Sequence, residues 1–329
     1  MIDVVVLKGD GIGPEITDAV CKIIKASGAD IEFHPYDVGS TAYEKYGALL
    51  PKEVLEAIQT YQYVLKGPIT TPIGTGFRSI NVELRLAFDL YANVRPAKSI
   101  PGISKFQNVD IITVRENTED LYLGIEQEIP DGFEAIKRIT KTKSERIIRY
   151  AFELAKSQNR KKITCVHKAN ILKKSDGLFL SIFQEIAKQY PQIEADDKII
   201  DNMCMQLVMY PEKFDVIVAP NLYGDILSDL IAGLVGGLGL VPGANLSDTV
   251  KIYEAVHGSA PDIAGLGIAN PTALLEAALM LLQELGQIQS AQNIRQALDI
   301  VLEKKEVLPK DLGGSANTLE FVNEILKYL

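Results

Sequence analysis

The sequence predicts an α/β protein. Three observations predict it. Short β-branched apolar runs recur along the 329 residues, amphipathic stretches separate them, and glycine or proline marks many of the junctions. Val4–Leu7 is the first run, and a glycine turn leads from it into a helix over Glu15–Ser27. Ile31–Tyr36 reads as a second strand. Pro51–Thr60 reads as a helix with proline in its first turn. Val109–Val114, Lys162–Val166 and Phe214–Ala219 read as buried strands, and Lys143–Gln158, Asp176–Gln189 and Thr272–Leu285 as helices. Such alternation implies largely parallel strands. The segment Ile226–Val241 is apolar and glycine-rich, but Asp229 interrupts it and Pro242 ends it. It falls short of the roughly 20 residues a membrane span needs, so it reads as a buried helix and turn. Gly124–Lys143 is the least regular stretch and suggests an arm. No flexible linker separates two halves, so domains are expected to be assembled from discontinuous pieces.

Length implies about two domains. A hydrophobic fraction of 47% and a charged fraction of 23% are ordinary for a globular chain. The net charge of -9 and the lack of long basic runs argue against nucleic-acid binding. An acidic protein that binds an anion must gather its cations locally. Cys21, Cys165 and Cys204 lie far apart without a CxxC pairing, which suggests a reducing compartment and no zinc framework. No secretory signal or membrane segment is apparent, and a cytoplasmic location is expected.

Four motifs carry chemistry. Gly9-Asp10-Gly11-Ile12-Gly13-Pro14-Glu15 follows a strand and opens a helix. Its GxGxG spacing departs from the dinucleotide fingerprint GxGxxG, and no acidic ribose partner stands clearly downstream. It reads as a tight strand-to-helix turn. Next comes a cation-rich segment containing Ser79, Asn81, Arg85 and Arg95. Ser79 can cap a helix starting near Ile80, and helix N-termini favour anions. Arg95 and Arg115 are expected at the ends of extended segments, where arginine forks suit carboxylates. Any one of these arginines alone could be a surface charge; the ordered string Arg115-Glu-Asn-Thr-Glu-Asp-Leu-Tyr122 argues against that for the set. The third motif is Asn221-Leu-Tyr-Gly-Asp225-Ile-Leu-Ser-Asp229, following a strand. Aspartates four apart on a helix share a face and repel, and a divalent cation would relieve the repulsion. The plainer alternative is a cap at Asp225 and a solvated Asp229. Asp201 is a third candidate ligand. The fourth motif is His257-Gly258-Ser259-Ala260-Pro261-Asp262-Ile263-Ala264-Gly265.

On these strings the chain resembles the isocitrate, isopropylmalate and homoisocitrate dehydrogenase family, most of all its NAD-dependent isocitrate branch. The resemblance runs from the first glycine turn to Asp311-Leu312-Gly313-Gly314. It implies that family's α/β fold, with two discontinuous domains and an active-site cleft between them. Residues 1–94 plus 239–329 would form the large, cofactor-side domain. Residues 95–238 would form the small domain, with the dimer interface and a clasp or arm about 124–143. Substrate would be held by Ser79, Asn81, Arg85, Arg95, Arg115 and Asn170. Tyr122, Lys168 and Asp201 would be catalytic, Lys168 reaching in from a second subunit. Asp201 (also from the partner), Asp225 and Asp229 would hold Mg2+ or Mn2+. Lys66, Thr70, Thr71, His257, Gly258, Ser259, Ala260, Asp262, Ile263 and Asn270 would line the NAD site. In NAD-preferring members an Asp at the Asp262 position accepts from the adenosine ribose and repels a 2′-phosphate. The Ser79–Asn81 pair would suit the third carboxylate of isocitrate, where an apolar branch needs apolar contact. The reaction implied is oxidative decarboxylation of isocitrate to 2-oxoglutarate and CO2, in a homodimer with shared sites or a higher oligomer. Isopropylmalate and homoisocitrate are the alternative substrates, and Ser259 is often found in the isopropylmalate branch. A non-catalytic regulatory subunit is the alternative of a different class.

Overall fold

The computed structural model describes residues 1–70 and 79–329. Its strands are β1 (Ile2–Leu7), β2 (Ile31–Tyr36), β3 (Tyr63–Lys66), β4 (Ala92–Lys98), β5 (Asp110–Glu116), β6 (Glu126–Ile129), β7 (Gly132–Ala135), β8 (Lys162–His167), β9 (Glu194–Ile199), β10 (Val216–Ala219), β11 (Pro242–Leu246) and β12 (Lys251–Ala255). Its α-helices are α1 (Gly13–Ala26), α2 (Ser40–Tyr46), α3 (Lys52–Tyr61), α4 (Ile80–Ala87), α5 (Lys141–Ser157), α6 (Ser175–Ala187), α7 (Ile200–Met209), α8 (Asn221–Val235), α9 (Thr272–Glu284), α10 (Ile288–Lys304) and α11 (Thr318–Leu326).

Ten strands form one sheet in the order β2-β1-β3-β12-β11-β4-β5-β10-β8-β9. The outer pairings on both flanks are parallel, as expected. The centre is antiparallel: β12 with β11, β11 with β4, and β4 with β5. Sequence pattern hides this centre because β11 reads Pro-Gly-Ala-Asn-Leu and β4 carries Arg95 and Pro96. Proline is tolerated at the first residue of a strand, where Pro242 sits.

Each flank is covered on both faces, which is why its strands are near-continuous apolar runs. α1 shows the logic. Ile16, Val20, Ile23 and Ile24 recur at helical spacing and are all buried, together with residues of α9, α10 and α11. Each such side chain stabilises the fold by about 1.5–3 kcal/mol. The opposite face packs Val5, Leu7 and Val64 against α3 and α4. On the other flank, α5 and α6 cover Ile112, Ile163 and Val216, while α7 and α8 cover Ile111, Val166 and Ile217.

β6 and β7 pair as a separate hairpin within 124–143, and Phe133 on it is exposed. α8 ends at Val235, and Ile226 on it is exposed rather than buried as the apolar run implied. Among the described residues no helix is long and apolar enough to cross a membrane.

Candidate active site

The first glycine turn is a joint between three segments. Gly9 and Gly11 have φ of +72° and +59°, and a Cβ on either would lie 2.0 Å from a carbonyl oxygen, of Pro68 and Ser259 respectively. Only glycine fits there. Asp10, buried between them, accepts the Thr70 backbone N–H at 2.9 Å and the Ser40 N–H at 2.8 Å. The hydroxyls of Thr70 and Ser259 are 2.7 Å apart. The turn thus gathers the segments expected to meet a cofactor. Lys66 ends β3, with its Nζ 2.6 Å from Glu254 on β12. Burial pushes the Glu254 carboxyl up, but Lys66 and Arg85 outweigh it and hold it at about 2. His257 Nδ1 lies 2.9 Å from the Gly258 carbonyl oxygen, and burial lowers its imidazole below the usual value. Asn270 donates to Asp311 at 3.0 Å and accepts the Thr272 N–H at the start of α9. Gly258 and Asp262 are exposed, while Ala260 and Ile263 are half-buried. Thr71 lies outside the described residues.

The cation cluster forms on the sheet's other strands. Ser79 is the N-cap residue of α4 but makes no capping hydrogen bond with its side chain. Asn81 and Arg85, four apart, share a face of that helix. Arg95 lies in the middle of β4, not at its end: the strand runs on through Pro96 to Lys98 because it pairs antiparallel with β5 at the centre of the sheet, in place of the expected parallel pairing. Arg115 is near the end of β5. Arg115 is fully buried; its Nη1 donates to Asp225 and its Nε donates to Asn221 at 2.8 Å. Gly224 makes this possible, since a Cβ there would lie 2.7 Å from the Arg115 side chain. Arg95 donates to the Ser228 hydroxyl at 2.7 Å and stands 3.4 Å from both Asp225 and Asp229. Tyr122 donates its hydroxyl to Asp225, and the Arg115 guanidinium lies 4.8 Å from its ring centroid.

Charge explains the titration behaviour of the cluster. Burial, then repulsion from Arg115, lowers Arg85 to about 10 and lowers Arg95 as well. Burial pushes Asp225 up, but Arg115, the Tyr122 hydroxyl, Arg95 and Arg85 together hold it below the usual carboxylate range. Asp229 is raised by burial and by the neighbouring Asp225 charge, which Arg95 and Arg115 do not offset. Burial also raises Tyr122, so its hydroxyl keeps its proton. Arg95 therefore relieves the Asp225–Asp229 repulsion within one chain. Arg115 Nη2, Asn81 Oδ1 and His257 Nε2 are buried without a hydrogen-bond partner among the described residues. Buried polar atoms are normally satisfied, so such orphans point to a bound molecule.

Lys168 and Asp201 form an ion pair with each other, on the turn after β8 and the first turn of α7. Asn170 sits exposed in the same turn. Among the described residues neither Lys168 nor Asp201 hydrogen-bonds or ion-pairs with Asp225. Among the described residues, no group of three or more acidic, His or Cys side chains in one chain could hold a metal. Between the two regions stands a residue that sequence reasoning missed. Lys137 Nζ is 2.7 Å from Asp176 and 3.9 Å from Asp120, both fully buried, and 4.0 Å from the Tyr223 ring centroid. Asp176 accepts the Lys168 N–H at 2.7 Å, and Asp120 accepts the Leu222 N–H of α8 at 3.0 Å. Glu254 was also missed, although a charged residue inside an apolar strand was a usable signal.

A cavity of about 1410 Å³ opens on the opposite face of the central strands, lined by Val94, Pro96, Ile112, Ala244 and Tyr253. None of the expected site residues lines it. Its arginines are already paired, Arg160 with Asp110 and Arg295 with Glu276. Arg95, between Val94 and Pro96 on β4, points to the other face of the sheet, where the arginine and aspartate cluster lies.

Fold and site together define an α/β protein with a mixed ten-stranded sheet and arginines gathered against an aspartate pair. The family model described as isocitrate/isopropylmalate dehydrogenase matches residues 3–325. The chain is 48% identical over 326 residues to the probable mitochondrial NAD isocitrate dehydrogenase subunit alpha of Drosophila melanogaster, covering 98% of this chain and 86% of that one. It is also 48% identical over 330 residues to the 3-isopropylmalate dehydrogenase of Archaeoglobus fulgidus, covering 100% of each. The crystal structure of isocitrate dehydrogenase from Methylococcus capsulatus superposes with a TM-score of 0.97 at 49% identity, covering 100% of this chain and 99% of that one. The protein belongs to the isocitrate/isopropylmalate dehydrogenase family and is an oxidoreductase of that family.

Proposed function

We propose that this protein oxidatively decarboxylates isocitrate, with NAD as hydride acceptor and Mg2+ or Mn2+ beside Asp225 and Asp229. The observation that carries the reading is the convergence of Arg85, Arg95 and Arg115 on Asp225. Three guanidiniums bind and orient carboxylates by forked hydrogen bonds. The Ser79 hydroxyl and the Asn81 amide, which can rotate to present its NH2, give the third carboxylate polar partners. An apolar branch would offer the Asn81 amide no hydrogen-bond partner and is disfavoured for that reason. Two hard carboxylates on one face of α8 fit a divalent cation. When bound, the cation supplies Lewis acidity toward the substrate hydroxyl and its neighbouring carboxylate, and NAD accepts the hydride. Tyr122, kept protonated by burial, is the proton donor. Asp262 repels a 2′-phosphate, and Gly313-Gly314 offer that phosphate no cation, which favours NAD.

The active unit in this reading is a dimer, with residues 1–94 plus 239–329 as one domain and 95–238 as the other. Met205, Val208 and Met209 on α7 and Ile226 on α8 form an exposed apolar face beside Lys168 and Asp201. Packing two copies across it would bring one chain's Lys168 and Asp201 to the other's Tyr122, Asp225 and Asp229. Asp201 would then join Asp225 and Asp229 in holding the cation. The second reading is isopropylmalate oxidation, favoured by the equal identity to the Archaeoglobus enzyme and by Ser259. Steady-state assays with NAD on isocitrate, isopropylmalate and homoisocitrate decide between them. Isocitrate is expected to lead in kcat/KM by about 100-fold or more, and a chelator to abolish turnover. Isopropylmalate in the lead would overturn the substrate assignment.

A further inference from the structure

One continuous line of buried polar contacts joins the Lys66 side of the cleft to the Arg95 side. Lys66 and Glu254 are register partners across β3 and β12, 2.6 Å apart at their charged ends. The other Glu254 oxygen accepts from the Asn245 amide on β11 at 2.6 Å. Asn245 lies opposite Asn93 in the β11–β4 pairing. Its side-chain oxygen accepts from Asn93 at 2.7 Å and from Asn117 at 2.9 Å. Asn93 accepts in turn from Arg95 Nε at 2.8 Å. No member of the line is more than 8% exposed.

The line has a fixed direction. The Glu254 carboxylate only accepts and the Arg95 guanidinium only donates. Both amides must therefore run head to tail, and turning either one would set like atoms against each other. Within a dry sheet such a chain polarises along its length, and disturbing one end is felt at the other. It crosses the antiparallel strands that connect the two flanks of the sheet.

We propose that Asn93 and Asn245 are positioning residues that couple the two sides of the cleft, so that occupancy near Lys66 fixes the Arg95 guanidinium and occupancy at Arg95 fixes Lys66. This rests on the reading above, in which cofactor lies near Lys66 and the acid near Arg95. Neither asparagine needs to touch either ligand. The coupling is a binding free energy, so it is reciprocal.

Calorimetric titration of the full chain tests it. NADH is titrated with and without the acid that the wild type turns over, and that acid, with Mg2+, with and without NADH. In the wild type each ligand is expected to tighten the other by at least about fivefold. Asn245→Ser is expected to bring that factor to within about twofold of unity. Glu254→Gln keeps the shape, cuts the link to Lys66, and is expected to do the same; it carries the test if Asn245→Ser does not fold. A merely structural role would lower Tm and leave the coupling factor intact. A factor unchanged in the folded variants, or absent in the wild type, overturns the proposal. If the wild type turns over none of the three acids with NAD, the functional reading itself fails and this proposal goes with it. That outcome is distinct from an active enzyme with unaltered coupling.

Discussion

Two ion-paired regions carry the expected chemistry, and they are built in opposite ways. Around α8, Asp225 is held by Arg115, Tyr122 and Arg95, with Arg115 fully buried. On α7, Asp201 is exposed and has Lys168 as its partner. Burial makes the first region stiff and costly to disturb, because removing one partner strands a charge in a dry place. The second gains little from its ion pair, since solvent screens it. Under the proposed function the difference has a meaning: one chain supplies a finished anion grip and an unfinished proton-and-metal pair, which a second copy would complete.

The largest effect is expected at the finished end. Asp225→Asn keeps the shape and removes the shared negative charge. It should lower kcat/KM about 1000-fold and lower Tm, measured by steady-state kinetics and calorimetry. Intact activity would break the comparison at its stronger side. Lys168→Met should lower kcat about 100-fold or more with Tm within about 2 °C of wild type. A large loss of Tm would mean that the α7 pair is structural after all.

Lys137 sharpens the contrast, since it serves both regions. Lys137→Met leaves buried Asp176 and Asp120 without their cation and should destabilise by about 3 kcal/mol. Through the Lys168 backbone and the start of α8 it should also lower kcat, by about tenfold. Unchanged kcat in the folded variant would separate it from the chemistry. The smallest effect concerns acid stability. Glu254 titrates at about 2 in the folded chain against an ordinary 4.5. Its contribution is present above about 4.5 and lost as pH falls toward 2. Denaturant melts should show the stability gap between wild type and Glu254→Gln shrinking across that window. A gap that grows on acidification would contradict the assignment.

Much of this was legible in the sequence, for local reasons. The four-residue spacing of Asp225 and Asp229 lies on one helix, where periodicity alone puts both on one face. The glycine turn and the string from Arg115 to Tyr122 are each contiguous in the chain, so their residue types could be read together without knowing which distant strands pair. What stayed hidden depends on strand pairing between distant segments. Asn93, Asn245 and Glu254 meet only because β4, β11, β12 and β3 lie side by side in a particular register. A single sequence carries no mark of that register, and the Pro-Gly-Ala-Asn-Leu run of β11 does not resemble a strand. Lys137 is hidden for the same reason, since its partners Asp120 and Asp176 are distant along the chain. Arg95 was expected at a strand end because the antiparallel partner that extends β4 was not foreseen.

A mixing experiment puts the shared-site claim to its most direct test. Lys168→Met and Asp225→Asn, each nearly inactive alone, are unfolded, combined in equal amounts and refolded. Random pairing of two-fold dimers yields half hybrids, each with one wholly wild-type site, so about a quarter of wild-type activity should return. A mixture no more active than its two parents would contradict the account.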